Sequence, residues 1–474
     1  MTSYTTLPWR TDLAPAHDGS ATTVASLCHL SDLHVLDAAS PMRFEWIETL
    51  AHDPRWRPLL HMHRPQEALV PWALAAHLDT IMSTRTGPTG AGLDLVISTG
   101  DNIDNAQRNE LDAYLTLMRG GTVSLSPVGG PQSADAWTDG EPWPYWSPSA
   151  DVVDTWKPRG YPVIEDFFER AGEPIRSRGL DLPWTSMPGN HDLLCQGTSF
   201  VTDALDRAAT GRRKGLFPVD GFAPDDVLGL FVDEPHRFLG HGERLVAADP
   251  TRRGITIDEW IDAHGTSGAL GWSAHDRSRW GTHGADAVID LGEVVVVVLD
   301  TNHPHGDYQG SIGTEQIAWL DQVLTELDTT GRLAVLASHH GPASLVNDRG
   351  ADPSRHRAAP LLDTIESHPS AVLWLTGHRH VHRITPWPGR SGGFWEITTA
   401  SVIDWPSEHR MIDVRRHSDG RIEIVTTVHD HAAAPRSLGW WHRDLAKRFS
   451  GSQVRGATMA GAEGDRSVRL ALSR

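Results

Sequence analysis

LWLTGHRHVH, residues Leu373–His382, is an apolar run that breaks at Gly377 and continues with imidazoles at every second position, His378, His380 and His382. Alternate residues of an extended chain share a face, so His378 and His380 can reach one centre. The design recurs along the chain. Apolar or β-branched runs end in polar, chemically competent residues at TTVASLCHLSDLH (22–34), LDLVISTGDNIDN (93–105), LPWTSMPGNHD (182–192), VVVVVLDTNH (294–303) and LAVLASHHGP (333–342). Runs of this kind read as buried strands.

Helical spacing lies between some of these runs. Ile317, Leu320, Leu324 and Leu327 fall on one face, with Thr314 as the expected N-cap. Leu74, Leu78 and Ile81 repeat the pattern behind Pro71, a residue suited to a first helical turn. Strand and helix in alternation predict an α/β fold. Beyond residue 393 strand follows strand, with a hairpin expected at Ser418-Asp419-Gly420. The expected organisation is an N-terminal extension (1–25), a main domain (26–430) with insertions at about 106–182 and 196–290, and a tail (431–474) packing on the core.

Composition narrows the function. The 474 residues are 39% hydrophobic and 22% charged, ordinary for a globular protein. Lys and Arg are outnumbered 42 to 61 and the net charge is −19, which argues against a nucleic-acid polymer as partner. The start lacks a basic segment followed by an apolar one, and no run approaches the ~18 apolar residues of a membrane span, so a cytoplasmic protein is expected. Cys28 and Cys195 do not make a disulfide scaffold and read as buried free thiols. Histidine, at 27 copies, invites a search for metal ligands.

Ligands of open α/β sheets bind beyond the carboxyl ends of the strands. There the runs deliver Asp32 and His34, then Asp101, Asn190 and His191, then His339, and finally His378 and His380. Oxygen and imidazole donors without cysteine suit two hard-to-borderline cations. A carboxylate can bridge two cations, and two cations clamp the attacking and leaving oxygens of an in-line displacement.

Taken in order, DLH, GDNIDN, GNHD, SHH and GHRH resemble the calcineurin-like metallophosphoesterase superfamily over roughly residues 26–430, the motif segments carrying the likeness. GSIGTEQIAWLDQVL, after VVLDT, resembles its bacterial class III cyclic-nucleotide phosphodiesterase branch, and the insertions resemble a branch with widely separated motifs. The resemblance implies a four-layer α/β/β/α sandwich with two large insertions. It implies two divalent or trivalent metal ions (Fe, Mn or Zn). Asp32, His34 and His380 would hold the first, Asn190, His339 and His378 the second, and Asp101 would bridge them. It further implies hydrolysis of small phosphodiesters or phosphomonoesters by hydroxide generated at the metals, with His191 as general acid or transition-state donor. A metal-retaining binding or scaffold protein, and a nuclease of the same superfamily, are the alternatives. The complete ligand set opposes the first and the acidic balance the second.

Other residues receive lesser roles. The family pattern prefers His339 to His340, and His382 reads as a rim or packing residue. Asp104 and Asp192 are candidate partners for ligand imidazoles or turn caps. His61-Met62-His63 is assigned to surface or loop, His303-Pro304-His305 to loop with a weaker case for the site rim, and Asp404 to structure, with an approach to the site from the last sheet as the alternative. Trp137, Trp143, Trp146 and Trp156 read as a small satellite core, with a lid or stacking platform as the alternative.

Overall fold

A computed structural model describes every residue except 1–3, 18, 128, 131–132, 134–141, 220, 242–243, 283, 453–457 and 474. In chain order its main elements are β1 (Ala21–Leu30), α1 (Val70–Thr84), β2 (Leu95–Ser98), α2 (Arg108–Arg119), β3 (Trp184–Ser186), β4 (Ala287–Asp290), β5 (Val294–Leu299), α3 (Thr314–Thr330), β6 (Leu333–Ser338), α4 (Ala358–Ser367), β7 (Ala371–Thr376), β8 (Arg383–Trp387), β9 (Phe394–Thr398), β10 (Glu408–His417), β11 (Ile422–Asp430), α5 (Leu438–Ser452) and β12 (Val468–Leu472). Each of the six apolar runs contains a strand.

Two sheets result. A seven-stranded sheet runs from Trp9–Arg10 through β12, β11, β10, β1 and β2 to β3, and a six-stranded sheet runs β8, β9, β7, β6, β5, β4. β1, β2 and β3 are mutually parallel, and so are β5, β6, β7 and β9. The alternation in β5 shows how the sheets meet. Val294, Val296 and Val298 join one core with residues of β1, β2, α1 and α2, whereas Val295, Val297 and Leu299 pack with α3 and α4. The chain is therefore mixed α/β, with both sheets contributing to one core.

Local expectations hold with one shift. Leu74, Leu78 and Ile81 are buried on α1, and β10 turns into β11 with Gly420 at φ +90°. The N-cap of α3 is Gly313, not Thr314: the Gln316 side chain accepts the Gly313 N–H at 2.9 Å. Thr314 is instead the first residue of the helix, and its hydroxyl donates to the Ser354 carbonyl at 3.2 Å.

Smaller apolar clusters lie beside the two main ones. Trp46, Trp56, Leu205, Phe231 and Phe238 cluster together, and Trp146 and Trp156 pack with Phe167, Leu445 and Phe449. Trp143 joins Tyr145 and Leu216; Trp137 lies outside the described residues. Buried tryptophans of this kind build satellite cores, the first of the two readings. The chain's ends enter the seven-stranded sheet, Trp9–Arg10 pairing with β12 and β12 with β11. No described helix is long and apolar enough to cross a membrane.

Candidate metal centre

The parallel strands aim their carboxyl ends at one place. Asp32 follows β1, Asp101 follows β2, Asn190 and His191 open a one-turn helix after β3, His339 follows β6, and His378 and His380 follow β7. Asp32, His34, Asp101, His378 and His380 all have left-handed backbones, with φ of 51°, 53°, 50°, 62° and 52°. A non-glycine residue held there costs on the order of 1–3 kcal/mol. Five such residues in one cluster mark loops shaped by what their side chains must reach. Gly189 has a steric reason in the same place, since a Cβ would stand 2.2 Å from Asp101 Oδ1.

The expected residues converge. His380 Nε2 lies 3.2 Å from Asp32 Oδ1, His34 Nε2 lies 3.7 Å from Asp101 Oδ2, and His339 Nε2 lies 3.2 Å from the same Oδ2. Asn190 donates its Nδ2 to the Gly197 carbonyl at 2.9 Å, which turns Oδ1 toward His339 Nε2, also 2.9 Å away. Four overlapping triplets each offer ligand atoms within 4.8 Å of one another: Asp32, His34 and His380; Asp32, Asp101 and His339; His34, Asp101 and His191; and His339, His340 and His378.

The donors fit cations. His34 Nε2 is buried without a hydrogen-bond partner among the described residues, which is costly unless something electrophilic meets it. His34 Nδ1 is anchored 2.9 Å from Asp104 Oδ1, His380 Nδ1 2.7 Å from Asp404 Oδ2, and His339 Nδ1 2.8 Å from the Thr99 carbonyl. Each anchor leaves Nε2 facing inward, the arrangement that orients metal-binding imidazoles.

Electrostatics tie the cluster together. Burial pushes His380 down, but the carboxylates of Asp32 and Asp404 outweigh it and raise the ring to about 10. His339 is likewise raised to about 9 against its burial by Asp101 and Asp32. Burial works to raise Asp101, yet His339, His191 and His34 hold it well below the usual carboxylate range. His34 is lowered to about 4, first by burial and then by His191.

His191 is partly exposed, its side chain 18% accessible. Its Nδ1–H donates to the Asp104 carbonyl at 2.8 Å, which leaves Nε2 as the free ring atom. Its backbone N–H donates to Asp101 Oδ1 at 2.8 Å. Burial lowers its proton affinity, but Asp101 and Asp104 raise it above the ordinary value.

The competing histidines separate. Both nitrogens of His340 are taken, Nδ1 with the Thr301 hydroxyl at 2.9 Å and Nε2 with the Tyr308 carbonyl at 3.0 Å. His378 keeps its ring at the cluster, 5.1 Å from that of His339 and stacked 6.3 Å from Tyr308. His382 is not at a rim: it is buried between Glu408 (3.0 Å) and Arg410 (3.0 Å). Asp192 caps its turn, accepting from the N–H groups of Gly189 and Asn102, whereas Asp104 orients His34. Cys28 and Cys195 are both free and buried.

No protein-family model matches the chain. It is 32% identical to a probable cyclic nucleotide phosphodiesterase from Synechococcus over 99 residues, 21% of this chain and 37% of that protein. It is 30% identical to a manganese-dependent ADP-ribose/CDP-alcohol diphosphatase from Xenopus tropicalis over 105 residues, 22% of this chain and 29% of the relative. The chain is similar to calcineurin-like metallophosphoesterases. The matches thus span about a third of the length of these curated relatives. A dimetal phosphatase from Danio rerio aligns with a TM-score of 0.38 and 14% identity, over 87% of this chain and 98% of that one.

Sequence reasoning missed part of the metallophosphoesterase-like site. Asp404, assigned to structure, reaches His380 and accepts from Arg64 Nε at 2.9 Å. His63, assigned to surface or loop, is buried 2.9 Å from Glu67, and Arg43 joins Glu67 to Asp104. The available signal for Asp404 was its place after β9, beside the other parallel strand ends. Arg43 follows no strand and carries no motif.

Proposed function

We propose that the chain is a dinuclear-metal phosphoesterase acting on small phosphodiesters or phosphomonoesters. The supporting observation is the convergence of two buried carboxylates, one carboxamide and four imidazoles from both sheets, three of the imidazoles anchored through Nδ1. Asp32, His34 and His380 hold one cation, Asn190, His339 and His378 the other, and Asp101 bridges them. Bound there, two cations supply positive charge for the phosphoryl oxygens and lower the pKa of a coordinated water.

His191 Nε2 carries the proton. The ring is oriented through Nδ1, is partly exposed and has its proton affinity raised, which suits delivery of a proton to a leaving-group oxygen. The phosphodiesterase activity named for the Synechococcus relative and the manganese dependence named for the Xenopus one agree with this chemistry.

The test is metal analysis of the purified chain, followed by hydrolysis of p-nitrophenyl mono- and diesters with Mn²⁺ added. Two metal equivalents and turnover are expected. Two equivalents without turnover of any phosphoester in a broad panel would instead support the binding-protein reading.

A further inference from the structure

Beneath Asp32 runs a buried polar chain that the proposed reaction does not use. His29 lies in β1, three residues before Asp32, and is fully buried. Its Nε2 is 2.8 Å from Thr99 Oγ1 and its Nδ1 2.8 Å from Thr399 Oγ1. Thr99 Oγ1 donates to Ser31 Oγ at 2.7 Å, and Ser31 Oγ donates to Asp32 Oδ2 at 2.5 Å.

The carboxylate sets the direction of every proton. An ionised Asp32 only accepts, so Ser31 spends its single hydroxyl proton there. Ser31 must accept from Thr99, and Thr99, its proton spent, must accept from His29 Nε2–H. Nδ1 is then bare and takes the Thr399 proton. One tautomer of one residue satisfies all four bonds, and aligned bonds polarise one another in a buried setting. Burial, then the Arg410 guanidinium, hold His29 neutral by lowering it to about 3.

Two further observations connect the chain to the centre. Thr99 follows β2, whereas Thr399 follows β9, so the five groups tie one sheet to the other. A Cβ on Gly377 would stand 2.0 Å from Ser31 Oγ and 2.8 Å from Asp32 Oδ2. The glycine of GHRH therefore leaves room for the hydroxyl that carries the relay.

We infer that His29 is a positioning residue for Asp32. Acting through Thr99 and Ser31, it fixes Oδ2 and, together with the His378 N–H, which reaches Oδ1 at 3.0 Å and Oδ2 at 3.1 Å, orients Oδ1, the atom facing His380, toward a cation. The inference rests on the dinuclear reading and adds that one member of the pair depends on His29 for its affinity.

The test compares Mn²⁺ stoichiometry and dissociation constants, with melting temperatures in chelator, for the unaltered chain and four variants. His29→Leu empties both ends of the relay and should weaken one of the two Mn²⁺ sites by about 10–100-fold, the usual effect of losing a ligand's supporting partner. His29→Gln, whose amide offers a donor and an acceptor, should recover most of that loss. Thr399→Val, which removes only the far donor, should lose less. Thr99→Val cuts the same chain with little change of shape and should match His29→Leu; it decides the matter if His29→Leu does not fold. Unchanged affinity at both sites in Thr99→Val overturns the inference. So does an equal loss at both sites with a lowered melting temperature in chelator, the mark of a packing role. An unaltered chain that takes up no Mn²⁺ refutes the dinuclear reading itself.

Discussion

Among single residues, Asp101 and His191 divide the chemistry most sharply. Asp101 Oδ2 faces both His34 and His339, while its Oδ1 is held by the His191 backbone N–H. A carboxylate so placed can serve two cations at once, and Asn offers one oxygen in place of two. Asp101→Asn should therefore lower occupancy at both sites; elemental analysis showing full occupancy with an unaltered rate would sink the bridging role. His191 differs because its Nδ1 is spent on a carbonyl, leaving Nε2 as the free ring atom. His191→Gln should retain both metals and lose about 10²–10⁴ in rate, the usual value of general acid–base help. His191 also belongs with His34 and Asp101 to one possible ligand triplet, so a fall in metal content would convert it from proton donor to ligand.

The elements explain what could be read from sequence. The central strands, apolar on both faces because each is buried between packed layers, announce themselves as continuous runs. The donors are legible because Gly and a polar burst follow each run. Arg43 and the left-handed turns are not legible, since Arg43 meets Asp104, 61 residues away and on no shared element, and the turns rest on backbone geometry with no local code. The same holds for a second group of histidines where α1, β10, β11 and α5 meet. His77, His409, His431 and His442 are buried there, with His77 Nδ1 3.0 Å from His409 Nδ1. His429 stacks on His409, and Arg443, Asp430 and Glu408 are the charged groups alongside. Burial and mutual repulsion lower His409 and His442 to about 3 and His431 to about 4. The unfolded chain, with imidazoles near 6.5, thus binds more protons than the folded one below that pH. Stability is full above about pH 6.5 and falls as the pH drops, by up to about 1.4 kcal/mol per unit for each such ring. Urea titrations between pH 7.5 and 5 should show this slope, and His442→Leu should make it shallower. An identical slope in the variant would exclude His442 from the effect.

At the scale of the whole molecule, the centre sits where the two sheets present their carboxyl ends, and its ligands come from both. The shared core beneath is apolar and holds the sheets together on its own terms, as the convergence of β1, β2, β5, β6 and β7 residues in one cluster shows. Cations should therefore tighten the loops without being required for the fold. Binding of one cation at a hundredfold excess over its Kd adds about 2.7 kcal/mol, with no affinity for the unfolded chain. It also offsets the cost of holding five ligand residues in left-handed conformations. Adding Mn²⁺ after chelation should raise the melting temperature, and Asp101→Asn should blunt the rise. Hydrogen exchange locates the effect: amides at 31–35, 100–104 and 377–381 should lose protection in chelator, while those of β5, β6 and β7 keep theirs. The strand amides pair in parallel within the core, with one register shift between Ala334 and Val335 of β6, and nothing in that pairing involves the ligand side chains. Loss of protection in these strands as well would mean that the metals hold the sheets together, and the apolar core would not be the self-sufficient unit its packing indicates.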